Sequence, residues 1–232
     1  MTKINLLITG PIRPNIDYIN YIINYFKKLI SHNVIVFLCY WENEKIDKTL
    51  IKNVDYLFNE DEPEDKEIFS KISSRTFQQR QLHPNIEHWT PRIYKMFYGI
   101  KQLVNKIDNK LLINDNDIVL RIRTDLYVED CNFKSFNDLL NNIEKNTIYN
   151  RIRKHDCDWF SISTYDIFKK IWYIENDDKY NNIIKHLYNA EEIISYKSKL
   201  NKVDKVNISN IIKLCICRNY NDKNSPELQR YG

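Results

Sequence analysis

The chain has 232 residues, 43% of them hydrophobic and 28% charged, so it can bury a full core, which excludes global disorder. Its net charge of +4 comes from Lys, Arg, Asp and Glu interspersed along the chain, not from the concentrated basic stripe of a nucleic-acid binder. Only three glycines are present (Gly10, Gly99 and Gly232), which excludes the G-x-G-x-x-G fingerprint and the Walker loop, and with them a classical nicotinamide enzyme or P-loop kinase.

Taken in chain order, Ile4 to Thr9 reads as a buried first strand stopped by Gly10-Pro11. Asp17 to Ile30 has helical period, with Ile19, Ile22, Ile23, Phe26 and Ile30 on one face. Val34 to Leu38 is a second buried strand ending at Cys39-Tyr40-Trp41, Lys45 to Ile51 a short helix, and Val54 to Phe58 a third strand. This β-α-β-α-β order predicts parallel pairing and a Rossmann-like nucleotide half. Asn59 to Glu67 is acidic and reads as a solvated loop, and Ser73 to His88 as a polar loop near the site. Pro91 is placed to start a helix whose core face is Ile93, Met96, Phe97, Ile100, Leu103 and Val104. Ile118 to Ile122 is the central strand, Phe136 to Ile143 an amphipathic helix, and Trp159 to Ser163 a further strand. Helical spacing returns over Tyr165 to Ile174, Ile183 to Leu187 and Ala190 to Leu200, before a late strand at Ile211 to Cys217 and a polar tail from Asn219.

Five scattered cysteines, Cys39, Cys131, Cys157, Cys215 and Cys217, argue against a disulfide framework and for a reducing compartment. Cys215-Ile216-Cys217 lies in an apolar run and lacks zinc spacing, so its thiols read as buried strand residues. The opening residues do not resemble a cleavable leader, and no apolar run is long enough to span a bilayer. A cytosolic protein is expected, with membrane contact at most peripheral.

Chemistry concentrates at Asp117 to Tyr127, where an apolar, β-branched run ends in Arg123-Thr124-Asp125. Open α/β sheets present catalytic or metal-binding acids in this way, at the C-terminal end of a strand. Asp125 is the expected ligand of Mg²⁺ or Mn²⁺, which take oxygen donors and keep positions open for phosphate. By alternation Arg123 shares its side, free to pair with it or with phosphate, and Arg121 lies deeper on that side. Glu129 and Asp130 are either a second oxygen ligand or exposed acids. Gly10-Pro11-Ile12-Arg13 follows the first strand, where Gly10 allows close backbone approach and Arg13 suits a diphosphate; the same residues also suit an ordinary turn. Trp41 and Tyr40 are placed either to stack on a base or to fill the core. Asp156 and Asp158, preceding a strand, are candidate acceptor bases or sugar-hydroxyl ligands, and the neighbouring His155 and Cys157 lack a second zinc pair. Glu191 and Glu192 open a helix, as alternative bases or as acids favoured by the helix dipole.

In order, Gly10-Pro11-Ile12-Arg13, Trp41, the helix with Arg92, Tyr94, Met96 and Gly99, then Arg121 to Leu126, and Asp158-Trp159-Phe160 resemble the WavE-type lipopolysaccharide-synthesis glycosyltransferases. Similar transferases occur in large DNA viruses, and the resemblance spans roughly residues 1 to 175. It implies a single GT-A-like α/β domain with a mainly parallel sheet flanked by helices. Residues 1–127 would form the nucleotide-sugar half, and 128–232 the acceptor half with C-terminal helices. It implies sugar transfer from a nucleotide-sugar donor to a glycan, or to a lipid-linked or protein-linked sugar, in bacterial cytosol or an infected cell. Gly10, Pro11, Arg13, Trp41, Arg92, Arg123, Thr124 and Asp125 would line the donor pocket, with Asp125 on a manganese or magnesium ion. Asp158, Asp156 or Glu191 would handle the acceptor. Arg123-Thr124-Asp125 then replaces the usual Asp-x-Asp, with Arg in the first acidic position. The rival expectations are a nucleotidyltransferase acting on sugar phosphates, which would normally need a glycine-rich phosphate loop, and a non-catalytic nucleic-acid or ligand-binding module, which needs a clustered basic face.

Overall fold

The computed structural model describes residues 3–13, 15–41, 47–71, 86–152, 156–184, 187 and 189–216, with side chains given for all of these except 86–89, 152 and 156. Of the loop expected over 73–88, residues 73–85 lie outside the described residues and 86–88 are helical; His155, Cys217 and the tail from Asn219 also lie outside the described residues.

Strand β1 (Lys3–Thr9) is apolar on both faces because it lies mid-sheet, pairing in parallel with β2 (Asn33–Trp41) and with β4 (Ile118–Arg123). β3 (Tyr56–Glu60) continues the parallel run beside β2. Beyond β4 the sheet turns antiparallel through β7 (Asp156–Thr164) and β6 (Thr147–Ile152), and β8 (Asp204–Asn207) closes the far edge in parallel with β6. The order β3-β2-β1-β4-β7-β6-β8 is a mixed, mostly parallel sheet flanked by helices, as the sequence predicts.

Helix α1 (Ile16–Leu29) is capped by the Asn15 side chain, which accepts from the Tyr18 N–H at 2.9 Å. Its Ile19, Ile22, Ile23 and Phe26 pack on one sheet face. On that face too lie α4 (Phe133–Asn141) and the small antiparallel pair β5 (Leu126–Cys131) with β9 (Ile212–Ile216). The opposite face carries α2 (Asp65–Lys71), α3 (Ile86–Asn109), α5 (Tyr165–Trp172), α6 (Asp177–Ile184) and α7 (Ala190–Leu200).

Several boundaries differ from expectation. Helix α3 begins at Ile86, and Pro91 sits in its second turn instead of starting it. The expected loop from Asn59 contains the end of β3 and the start of α2, and the expected helix before Ile51 is a single 3₁₀ turn, Lys48–Leu50. Helix α6 ends at Ile184, where a helix was expected to begin. β5, β6 and β8 were not anticipated. β8 is exposed at every residue, so it carries no hydrophobic pattern, and its pairing with β6 is the whole reason it is a strand.

Candidate active site

The chain leaves β1 for β2 on one side and returns at β4 on the other, a switch of direction that opens a crevice at the carboxyl ends of these strands. A cavity of about 460 Å³ lies there. Gly10, Pro11 and Arg13 border it from the end of β1, Trp41 from the end of β2, and Arg123, Thr124 and Asp125 from the end of β4. Arg92, Met96 and Gly99 of α3 form one wall, and Asp158 of β7 with Ala190 of α7 another.

Local chemistry holds these turns together. Gly10 adopts φ +124°, a conformation L residues rarely take, and its N–H donates to the Cys39 carbonyl at 3.2 Å. The Thr124 hydroxyl donates to the Pro11 carbonyl at 2.5 Å, tying the β4–β5 turn to the loop after β1. Behind that turn the Tyr18 hydroxyl donates to the Leu126 carbonyl at 2.6 Å. Trp41 is almost wholly buried, its ring stacked on Tyr98 with centroids 6.3 Å apart and facing Gly99.

The centre is an ion-pair cluster. Arg123 donates through Nε and Nη2 to the two carboxylate oxygens of Asp125 at 3.0 and 2.9 Å, and its Nη1 lies 3.3 Å from the Asp158 carboxylate. Burial opposes the charge on Arg123, but Asp125 and Asp158 outweigh it and hold the guanidinium above its ordinary value. Beneath it Arg121 is fully buried and stacked on Trp172, 4.3 Å from the ring centroid. Its Nη1 donates to the Asp158 carbonyl, while Nε and Nη2 meet no acceptor among the described residues. Burial pushes Arg121 down to about 10, with Asp158 pulling the other way.

Glu191 sits in the first turn of α7, whose cap is Asn189. Its carboxyl is pushed up to about 7, first by burial and then by the Asp158 charge, against the pull of its own backbone N–H and of Arg123. Glu191 does not itself border the cavity, but it follows Ala190, which does, and the Asp158 and Arg123 charges reach it.

Other expected residues fall elsewhere. Tyr40 points to the opposite sheet face, packed with the α1 side of the core, because alternation sends it away from Trp41. Glu129 and Asp130 are exposed on β5, with Asp130 facing Lys213 at 3.8 Å, and neither borders the cavity. Asp156 begins β7, and its side chain lies outside the described residues. Arg121 was placed on the right side of β4 by alternation but not counted in the site. Lys95, which borders the cavity between Glu62 and Asp65, had no sequence signal at all.

The divalent ion expected at Asp125 meets a carboxylate with both oxygens already accepting from Arg123. Among the described residues no three His, Cys, Asp or Glu side chains gather as a metal-binding group. The residues present do not make a ready divalent site.

No protein-family model and no curated protein matches the sequence. Among solved structures the chain is similar to mouse xyloside xylosyltransferase 1 in its apo form, at 6% identity and TM-score 0.44, over 90% of this chain and 85% of that one. It is also similar to a Bacillus anthracis protein assigned as a glucose-1-phosphate thymidylyltransferase, in complex with a sucrose, at 7% identity and TM-score 0.46 over 94% and 91% of the two chains. A third is the apo glycosyltransferase GlyE of Streptococcus pneumoniae TIGR4, at 8% identity and TM-score 0.42, where 89% of this chain spans 45% of that one.

Proposed function

We propose that this chain is a glycosyltransferase that moves a sugar from a nucleotide-sugar donor to the hydroxyl of a glycan, or of a lipid-linked or protein-linked sugar. The observation that carries the reading is the cleft at the β1/β4 switch point, where Arg123 is clamped between Asp125 and Asp158. At its mouth Arg13 and Arg92 are exposed and carry no ion pair among the described residues, which suits a phosphate group. The motif order that resembles WavE-type transferases supports the same reading. In it, residues 1–127 supply most of the donor side and residues 128–232 the acceptor side.

In the transfer, the acceptor oxygen forms a bond to the anomeric carbon as the bond to the phosphate oxygen breaks. The phosphate leaves with the electron pair, and the hydroxyl proton passes to a carboxylate. Glu191, next to the cavity-bordering Ala190 and within reach of the Asp158 charge, suits that last task, since burial pushes its carboxyl up towards neutral pH, where a base combines availability with driving force. Asp158 is held in the ion pair with Arg123 and acts by positioning it.

The test is a thermal-shift panel of UDP, GDP, CMP, dTDP and their sugars against the purified chain. A ligand at 100 times its dissociation constant adds about 2.7 kcal/mol, a shift of several degrees. Stabilisation by one base class is expected and would identify the donor. No response to any member of the panel would overturn the reading.

A further inference from the structure

We infer that Arg123 is a resident cation occupying the place a divalent ion would take, so that donor phosphate is met by arginines and the site works without a metal. The inference rests on the donor being a nucleotide sugar, as proposed above.

The geometry leaves a metal little to bind. An ion ligated by Asp125 and Asp158 would have to sit between the same oxygens that the guanidinium already bridges, at 2.9 to 3.3 Å, and against its positive charge. The two carboxylates have side-chain exposures of 3% and 11%, so neither has solvent to turn towards if Arg123 were displaced. Arg123 itself stays within reach of a ligand, with a side-chain exposure of 26%. Of the five N–H groups a guanidinium carries, three are used here and the rest remain for phosphate oxygens.

The charges fit the same conclusion. Arg121 and Arg123 balance Asp125 and Asp158, and Lys95 is held by Glu62 and Asp65 at 2.9 and 2.7 Å. Arg13 and Arg92 border the cavity exposed and without an ion pair among the described residues, so they are the cations open to a diphosphate. When the anomeric C–O bond breaks, its electron pair goes to the leaving phosphate oxygen, and Arg123 supplies the fixed positive charge that meets it.

Mn²⁺ binding followed by its electron paramagnetic resonance decides the matter. The wild-type chain should leave the free Mn²⁺ signal unattenuated, and the nucleotide-induced thermal shift should be unchanged by EDTA. Arg123→Ala frees both carboxylates, so it should gain Mn²⁺ binding. It should also lose roughly tenfold or more in nucleotide affinity, and Mn²⁺ should restore part of that loss. Stoichiometric Mn²⁺ binding by the wild type that disappears in Asp125→Asn would overturn the inference. So would a folded Arg123→Ala that takes up no Mn²⁺. If Arg123→Ala does not fold, the wild-type titration still decides. If no nucleotide shifts the melting point, the functional reading fails, whereas the Mn²⁺ titrations still judge the occupancy of the ion's place.

Discussion

Asp125 borders the cleft, Glu191 follows the cleft residue Ala190, and the two acids have different partners. Asp125 is buried and gives both oxygens to Arg123, so it is a positioning residue whose loss leaves a guanidinium short of its counter-charge. Asp125→Asn should cost about 1–3 kcal/mol, moderated because Asp158 remains, and lower the melting temperature by several degrees. Donor affinity should fall with it, and calorimetry showing an unaltered melting point would contradict this. Glu191→Gln should behave differently: donor affinity stays, while transfer drops roughly 10²–10⁴-fold. The wild-type rate should rise as pH increases through about 7, because the base must be ionised, and the variant should lose that limb. Stability carries the opposite sign. The folded chain holds the Glu191 proton to about 7 against an ordinary value of 4.5, so stability present at low pH is lost as pH rises through 7. Relative to wild type, Glu191→Gln should therefore gain stability between pH 5 and 8, by at most about 3 kcal/mol and less after solvent screening.

Between elements, the cleft wall depends on how closely α3 approaches the end of β2. A Cβ at Gly99 would lie 3.1 Å from the Trp41 ring, so glycine sets the contact between helix and strand. Gly99→Ala gains about 1 kcal/mol of helix propensity while pressing on Trp41, and should be nearly neutral. Gly99→Leu forces the indole to move and should destabilise by about 1–3 kcal/mol, with a loss of nucleotide affinity because the ring borders the cavity. Chemical denaturation of both variants checks the contrast; equal stabilities would show that Trp41 yields freely.

Across the molecule, the sheet separates two cores, and the helix-rich one contains Lys197, whose ammonium donates to the Tyr173 carbonyl and has no carboxylate partner among the described residues. Burial, and then the Lys179 charge, push it down to about 7. The unfolded chain holds this proton up to about 10.5, so the cost of burying the charge is full below 7 and fades as pH rises towards 10.5. Lys197→Met should therefore raise the melting temperature more at pH 6 than at pH 10. Equal gains at both pH values would mean that the ammonium is solvated in the folded protein.

The sequence by itself determined the parallel core strands, the faces of α1 and α3, and the convergence of Gly10, Arg13 and Asp125 on one sheet end. All of these follow from local period and from where parallel strands terminate. Tertiary structure alone decided the rest. β8 and β5 were missed because distant segments supply their hydrogen bonds and exposed or half-exposed strands leave little burial pattern to read, whereas the apolar run of β9 was legible. The Arg123–Asp125 pair is local, two positions apart, and alternation along β4 allowed for it; that Asp158 joins from the antiparallel β7 and that Glu191 is desolvated near them depend on contacts 33 to 68 positions apart in sequence. An acid read along the chain is only a potential ligand; the charges folded around it decide whether it binds a metal, holds an arginine or carries a proton.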